Sequence, residues 1–323
     1  MGVLRRFRAK LLRPIAAPLK ALAADQRAMG RTLDLLREDV RQVRLAVASL
    51  RASQARAAAT LSDAEFQGYS QFGEDGAIQW LLARVPMASR TFVEFGVGDY
   101  HESNTRFLLE HDGWRGLILD RDVRHIRFLQ ESGLAWRSVI EARSGFITAE
   151  NINEHLAGMP EDIGLLSVDV DGMDYWVLTA ITAVRPRIVV CEYNSLFGPT
   201  AAVTVPYDPS FERTAAHHST LYFGASISAL GHWASQRGYR LVGSSAEGVN
   251  AFFVREDVAG DLPNLPGAEA WVATPVRQAR DAEGRLTYMS GLDRQRALIA
   301  DLPLVDVMTG SALKVADLPP IGD

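Results

Sequence analysis

The chain has 323 residues, 47% hydrophobic and 23% charged, which excludes disorder throughout and leaves ample length for an α/β core with extensions. Its single cysteine, Cys191, excludes an intramolecular disulfide and a cysteine-rich zinc cluster, so a reducing compartment is expected. The net charge of −5 conceals an asymmetry: residues 1–60 carry thirteen Lys/Arg against four Asp/Glu, a balance of +9, so the remainder carries −14.

A basic arm on an acidic body bears on partners rather than on fold. A solvated helix surface is its simplest reading, and the lack of an aromatic-interleaved basic patch argues against nucleic acid. At the start, Arg5, Arg6, Arg8, Lys10 and Arg13 interleave with Val3, Leu4, Phe7, Leu11 and Leu12. Such a stretch suits a membrane interface through residues 3–20. It has no uninterrupted apolar run of signal-peptide length, and no segment approaches the roughly 20 apolar residues of a membrane span. The expected location is therefore the cytoplasm, with the inner membrane face as an alternative.

From Leu22 the positions Leu22, Gln26, Met29, Leu33, Leu36, Val40, Val43, Val47, Leu50, Gln54, Ala57 and Leu61 alternate steps of four and three. This is the seam of a left-handed coiled coil, and it predicts a self-associating arm, most simply a parallel dimer, through residues 22–61. A helix folded back on its own domain is the alternative.

Beyond Asp63 apolar runs of strand length alternate with amphipathic stretches, the mark of βαβ units and a mostly parallel sheet. A helix is predicted over Gly76–Val85 and strands at Thr91–Phe95, Gly116–Asp120, Arg137–Ala142, Gly164–Asp169 and Arg187–Glu192. Helices near 104–111, 123–132, 149–158, 175–184 and 225–237 connect them. A closing pair of strands, Tyr239–Gly243 and Ala251–Arg255, adds one antiparallel member. From Val258 Pro and Gly become frequent and periodicity fades. The expected division is an arm over 1–62, a catalytic domain over 63–257 and an accessory segment over 258–323.

Candidate chemistry gathers at strand ends. The first strand runs into Glu94-Phe95-Gly96-Val97-Gly98-Asp99, where glycines allow a tight turn and close backbone approach to a ligand. The second closes on Asp120, placed to accept both hydroxyls of a ribose. On the fourth, Asp169 and Asp171 are two residues apart and so predicted to share a face, as Glu192 and Asn194 are on the fifth. If those strands are neighbours, four oxygen-bearing side chains converge, enough to hold Mg²⁺ or another hard cation. The competing reading is local: Asp171-Gly172 turns the chain and Asp174 caps a helix. The cluster Tyr69–Gly76 reads as a helix start with capping acids. The long, proline-punctuated segment 195–223 reads as a lid or binding loop, in which His217 or His218 offers a general base.

In these pieces the sequence resembles the FkbM-type methyltransferases, a branch of the class I S-adenosylmethionine-dependent superfamily. The matching segments are YSQFGEDG at 69–76, FVEFGVGD at 92–99, GWRGLILD at 113–120, SVDVDGMDYWV at 167–177 and VVCEYN at 189–194, within residues 66–256. The resemblance implies a Rossmann-like seven-stranded sheet with helices on both faces, a bound S-adenosylmethionine, and methyl transfer to an oxygen on a sugar or glycosylated metabolite. By position, Glu94, Gly96 and Gly98 would cradle the methionine end, Asp120 the ribose, and Glu141 and Ala142 would lie near the adenine. Gln71 and Asp75 would line the cofactor pocket. Asp169, Asp171, Glu192, Asn194 and His217 are left as the residues for acceptor binding, metal and proton removal. Tyr100 stands where many class I enzymes have the last glycine of the motif, and Asp171 where relatives have glutamate. Two rival readings are a metal-dependent glycosyltransferase using Asp169-Val170-Asp171, and a coiled-coil scaffold carrying a degenerate cofactor domain.

Overall fold

A computed structural model describes residues 2–321, with the side chains of residues 2–17, 19, 23, 34 and 37 outside the description. The interfacial contact expected of residues 3–20 rests chiefly on those side chains. Among the described residues no helix is long and apolar enough to cross a membrane. The chain divides into two units, Met1–Val47 and Ala48–Asp323.

The first unit is most of helix α1 (Gly2–Ala57). The second begins within that helix rather than at residue 63, because Ala48, Ala52 and Ala55 are buried. Small side chains permit this: a β-carbon on Gly68 would stand only 3.2 Å from that of Ala48. Two short helices follow, α2 (Leu61–Ala64) and α3 (Glu74–Leu82).

Strands β1 (Thr91–Phe95), β2 (Arg115–Asp120), β3 (Ile140–Ser144), β4 (Leu165–Val168) and β5 (Ile188–Glu192) come next, and then β6 (Val203–Thr204) in the long loop. A near-hairpin, β7 (Tyr239–Ser244) and β8 (Asn250–Arg255), precedes β9 (Pro303–Asp306) and β10 (Ala312–Lys314). The main sheet has the order β3-β2-β1-β4-β5-β8-β7. Strands β1 to β5 are mutually parallel and β8 alone is antiparallel to both neighbours. The inner strands β1, β4 and β5 are largely apolar and buried along their whole length, as the centre of a parallel sheet requires, while the edge strand β3 is only partly covered. The chain turns left from β1 to reach β2 and right to reach β4, and a crevice opens at the carboxyl ends where that order reverses.

Two predicted boundaries move for local reasons. Residues 133–137 are helical because Ser132 caps them, its side chain accepting from the Leu134 amide, so β3 starts three residues late. Strand β4 stops at Val168 because Asp174 captures the amides of Val170 and Gly172, drawing the chain into a turn.

The C-terminal segment packs on the body of the second unit. Ala270, Leu292, Leu304, Val315 and Leu318 belong to the core cluster of the sheet. Strand β9 also pairs antiparallel with β6, making a small second sheet that anchors the long loop.

Glu65, after α2, accepts the Ala246 amide at 2.8 Å beyond β7. Burial, with Glu74 and Glu247 nearby, pushes its carboxyl up from 4.5 to about 7. The folded chain thus holds that proton to higher pH than the unfolded chain, and the stability Glu65 confers is complete below pH 4.5 and lost as pH passes 7. Glu65→Gln keeps an acceptor for Ala246 but cannot ionise. Urea unfolding should show the wild type losing more stability than this variant between about pH 5 and pH 8, and parallel losses would refute the assignment.

Candidate functional site at the carboxyl end of the sheet

The corner after β1 is built on two glycines. Gly96 has φ +73° and donates its amide to the Leu119 carbonyl at 3.0 Å. A β-carbon there would stand 1.7 Å from the Asp169 carbonyl oxygen. No other residue fits, so the loops after β1 and β4 touch only through glycine. Gly98, at φ +52°, donates to Asp120 Oδ2 at 2.7 Å, and the Asp122 amide donates to Asp120 Oδ1 at 2.7 Å. Each carboxylate oxygen keeps a lone pair for a further donor. The glycine corner and the acid, 22 residues apart in sequence, therefore face one cavity of about 370 Å³, closed on another side by Gly145, Phe146 and Ile147. A second cavity of about 500 Å³ shares Gly96, Gly98 and Asp169 as its wall and includes Gln71, Glu94 and Asn250.

Not every residue expected around this pocket serves it. Glu94 borders the second cavity, but its carboxylate is taken up bracing the loop above. It accepts from Ser103 Oγ at 2.6 Å, from the amides of Asn104 and Thr105, and from Thr105 Oγ1. Asp75 lines neither cavity. Its Oδ2 gathers the amides of Gly68, Tyr69 and Ser70 at 2.6 to 2.8 Å, and burial pushes its carboxyl up to about 6. It closes the turn ahead of α3. Glu141 is exposed and paired with Arg143, while the Ala142 carbonyl accepts from Gln130. Neither borders the cavity, because register pairs Asp120 with Ser144 and leaves Ala142 opposite Ile118, roughly 7 Å down the sheet. Phe146 stands where those two were expected. Tyr100, at φ +61°, does not narrow the pocket: it is buried with its hydroxyl 2.8 Å from Thr105 Oγ1.

The acids regroup. Because β4 ends at Val168, Asp169 and Asp171 do not share a strand face; Asp171 sits at φ +56° in the turn, exposed. Carboxylate oxygens of Asp169, Asp174 and Glu192 instead lie within 4.8 Å of one another. Asp169 is wrapped by protein on most sides yet reaches the cleft. Asn194 is committed elsewhere, donating to the Leu221 and Phe223 carbonyls and accepting from the Leu196 amide, so the predicted four-oxygen set does not form. Burial first, and the neighbouring acids second, push Asp169 and Glu192 upward, while Arg213 pulls both down. His217 borders neither cavity. Its Nδ1 lies 2.7 Å from Ser219 Oγ, and burial and His218 lower its pKa.

Arg213 escaped the sequence reading altogether. Its Nε donates to the Thr220 carbonyl at 2.8 Å, and its guanidinium lies 3.5 Å over the Phe223 ring. Its Nη1 stands 3.6 Å from both Asp171 Oδ1 and Glu192 Oε1. Beside it Phe211 lies against Gly172, and Glu212 reaches Arg121 at 3.0 Å. The loop thereby closes over the turn after β4 and ties itself to the residue after Asp120. An arginine in an aperiodic loop leaves no signal in sequence spacing.

No family model matches the chain, and no curated protein matches it. Among solved structures it is similar to the O-methyltransferase from Bacillus cereus in complex with SAH, at 14% identity over 64% of this chain and 89% of that one, TM-score 0.38. The N-terminal domain of EvdMO1 with SAH bound is similar at 13% over 58% and 82%, TM-score 0.36. The CurJ carbon methyltransferase is similar at 10%, over 58% of this chain and 56% of that one, TM-score 0.36. Likeness at this level bears on neither substrate nor chemistry. The fold itself is Rossmann-like α/β, built on a seven-stranded sheet with one antiparallel member.

The two glycines differ in a measurable way. Gly96→Ala meets backbone as well as an unfavourable φ and should cost more than about 2 kcal/mol of unfolding free energy. Gly98→Ala meets no atom within 4 Å and should cost about 1 kcal/mol from φ alone. Denaturant titration that ranked them equal would contradict the corner described.

Proposed function

We propose that this chain is an S-adenosylmethionine-dependent O-methyltransferase acting on a hydroxyl of a sugar, glycan or glycosylated metabolite. The observation that supports the reading is the Gly98 amide on Asp120, which brings a carboxylate able to accept hydroxyls and a close-approach backbone to one cavity. Its volume of about 370 Å³ suits a small-molecule site. Asp120 would hold the ribose hydroxyls, Phe146 and Ile147 would flank the base, and Gly96, Gly98 and Gln71 would border the methionine end. When bound, the cofactor supplies a methyl group on a sulfonium, transferred by in-line displacement.

The residues of the chain then align the acceptor oxygen and take its proton. Asp169, on the wall common to both cavities, is the base, its pKa raised toward neutrality by burial and by Asp174 and Asp171. Glu192 and Asp171 accept from further hydroxyls of the acceptor, which favours a polyol. Arg213 supplies the positive charge among these acids, so the divalent cation expected from the sequence has no part in the proposal.

Isothermal titration should give S-adenosylhomocysteine binding by the wild type, about 10- to 100-fold weaker in Asp120→Asn, and none for sugar nucleotides. The reverse pattern would favour the glycosyltransferase, and binding of neither the scaffold. Asp169→Asn should lower kcat about 100-fold or more with homocysteine-nucleoside affinity kept, whereas Asp171→Asn should retain most turnover. Removing the Arg213 charge lets Asp169 hold its proton longer, so Arg213→Gln should shift the acid limb of the rate profile to higher pH. An unmoved limb would dissociate Arg213 from the base.

A further inference from the structure

The apolar seam of α1 stands in water. Every described leucine, valine and methionine on it from Leu22 to Leu50 is 48% to 72% exposed. The outer face needs nothing more, since Arg41 donates to Glu38 at 2.9 and 2.6 Å and Gln42 to Glu38 at 3.2 Å. The seam ends at Ala57, where the helix stops; Leu61, its next expected member, is buried in the second unit.

We propose that residues 22–57 pair with the same residues of a second copy of this chain as a two-stranded, parallel, in-register coiled coil. Strand number follows from the seam residues. In the heptad letters a to g, Leu33, Val40 and Val47 hold a positions, and Leu36, Val43 and Leu50 hold d positions. Branched valine at a with leucine at d favours two strands. Gln26 and Gln54, also at a, face their own counterparts only when the helices are in register, and a mismatch would bury each amide against aliphatic side chains.

Orientation follows from charge. In a parallel pair the g residue of one helix faces the e residue five positions later in its partner, so exposed Asp39 meets the partner's Arg44, and the reverse. An antiparallel pair would set e against e, opposing Arg44 and Arg51 to arginine. The opposite signs at Asp39 and Arg44 thus select one arrangement of two copies.

The chain's one cysteine, Cys191, is buried, which makes introduced cysteines clean reporters. In the full chain, Leu36→Cys and Val40→Cys should each form a self-disulfide in a glutathione buffer, because a parallel in-register pair brings like positions together. Leu35→Cys, off the seam, should not. Sedimentation should give a dimeric mass, lost in Leu36→Glu/Val43→Glu, with the thermal transition of the remaining body retained. A monomer, a trimer or larger assembly, or a dimer in which neither seam variant cross-links to itself would overturn the proposal. Cofactor binding has no bearing on these outcomes.

Discussion

The bond from the Gly98 amide to the Asp120 carboxylate governs the rest of the site. It joins the ends of β1 and β2, and it can form only because Gly96, two residues earlier, turns at positive φ against the Asp169 carbonyl. Three strand ends are thus held within touching distance at the reversal of strand order. A β-carbon at Gly96 would push β1 off β4 and open the cavity where it needs to be narrow.

Around that junction the protein concentrates negative charge in a place where burial penalises it. Asp169, Asp174 and Glu192 cluster, and none would ionise readily alone. Two devices relieve the strain. Asp174 is stabilised by the Val170 and Gly172 amides, and Arg213 is brought in by the long loop, held by Thr220 and Phe223. That loop is itself fixed by β6 pairing with β9, so the C-terminal residues steady the loop that carries Arg213.

Much of this was legible in the sequence. Seven strands, their parallel run and closing antiparallel member followed from apolar periodicity, because buried strands must be apolar whatever their neighbours. Gly96, Gly98 and Asp120 were legible as well, since they end strands at one level. Asn194 and Glu141 misled for a common reason: spacing along a strand says which face a side chain takes, not which backbone groups will claim it. Asn194 went to the Leu221 and Phe223 carbonyls, and register set Glu141 opposite Leu117, three residues before Asp120 and below the cavity. Asp171 misled because the strand assumed to carry it had already ended.

By itself the sequence determined the βαβ order, the glycine corner with its carboxylate, and an arm whose apolar residues recur at heptad spacing; all are patterns set by local backbone geometry and by the need to bury or expose each side chain. Tertiary structure alone decided which acids meet, which carboxylates are spent on amides, and that Arg213 answers the charge of Glu192 and Asp171. Those outcomes depend on partners distant in the chain, and electrostatic neighbours across a fold leave no periodic trace along it.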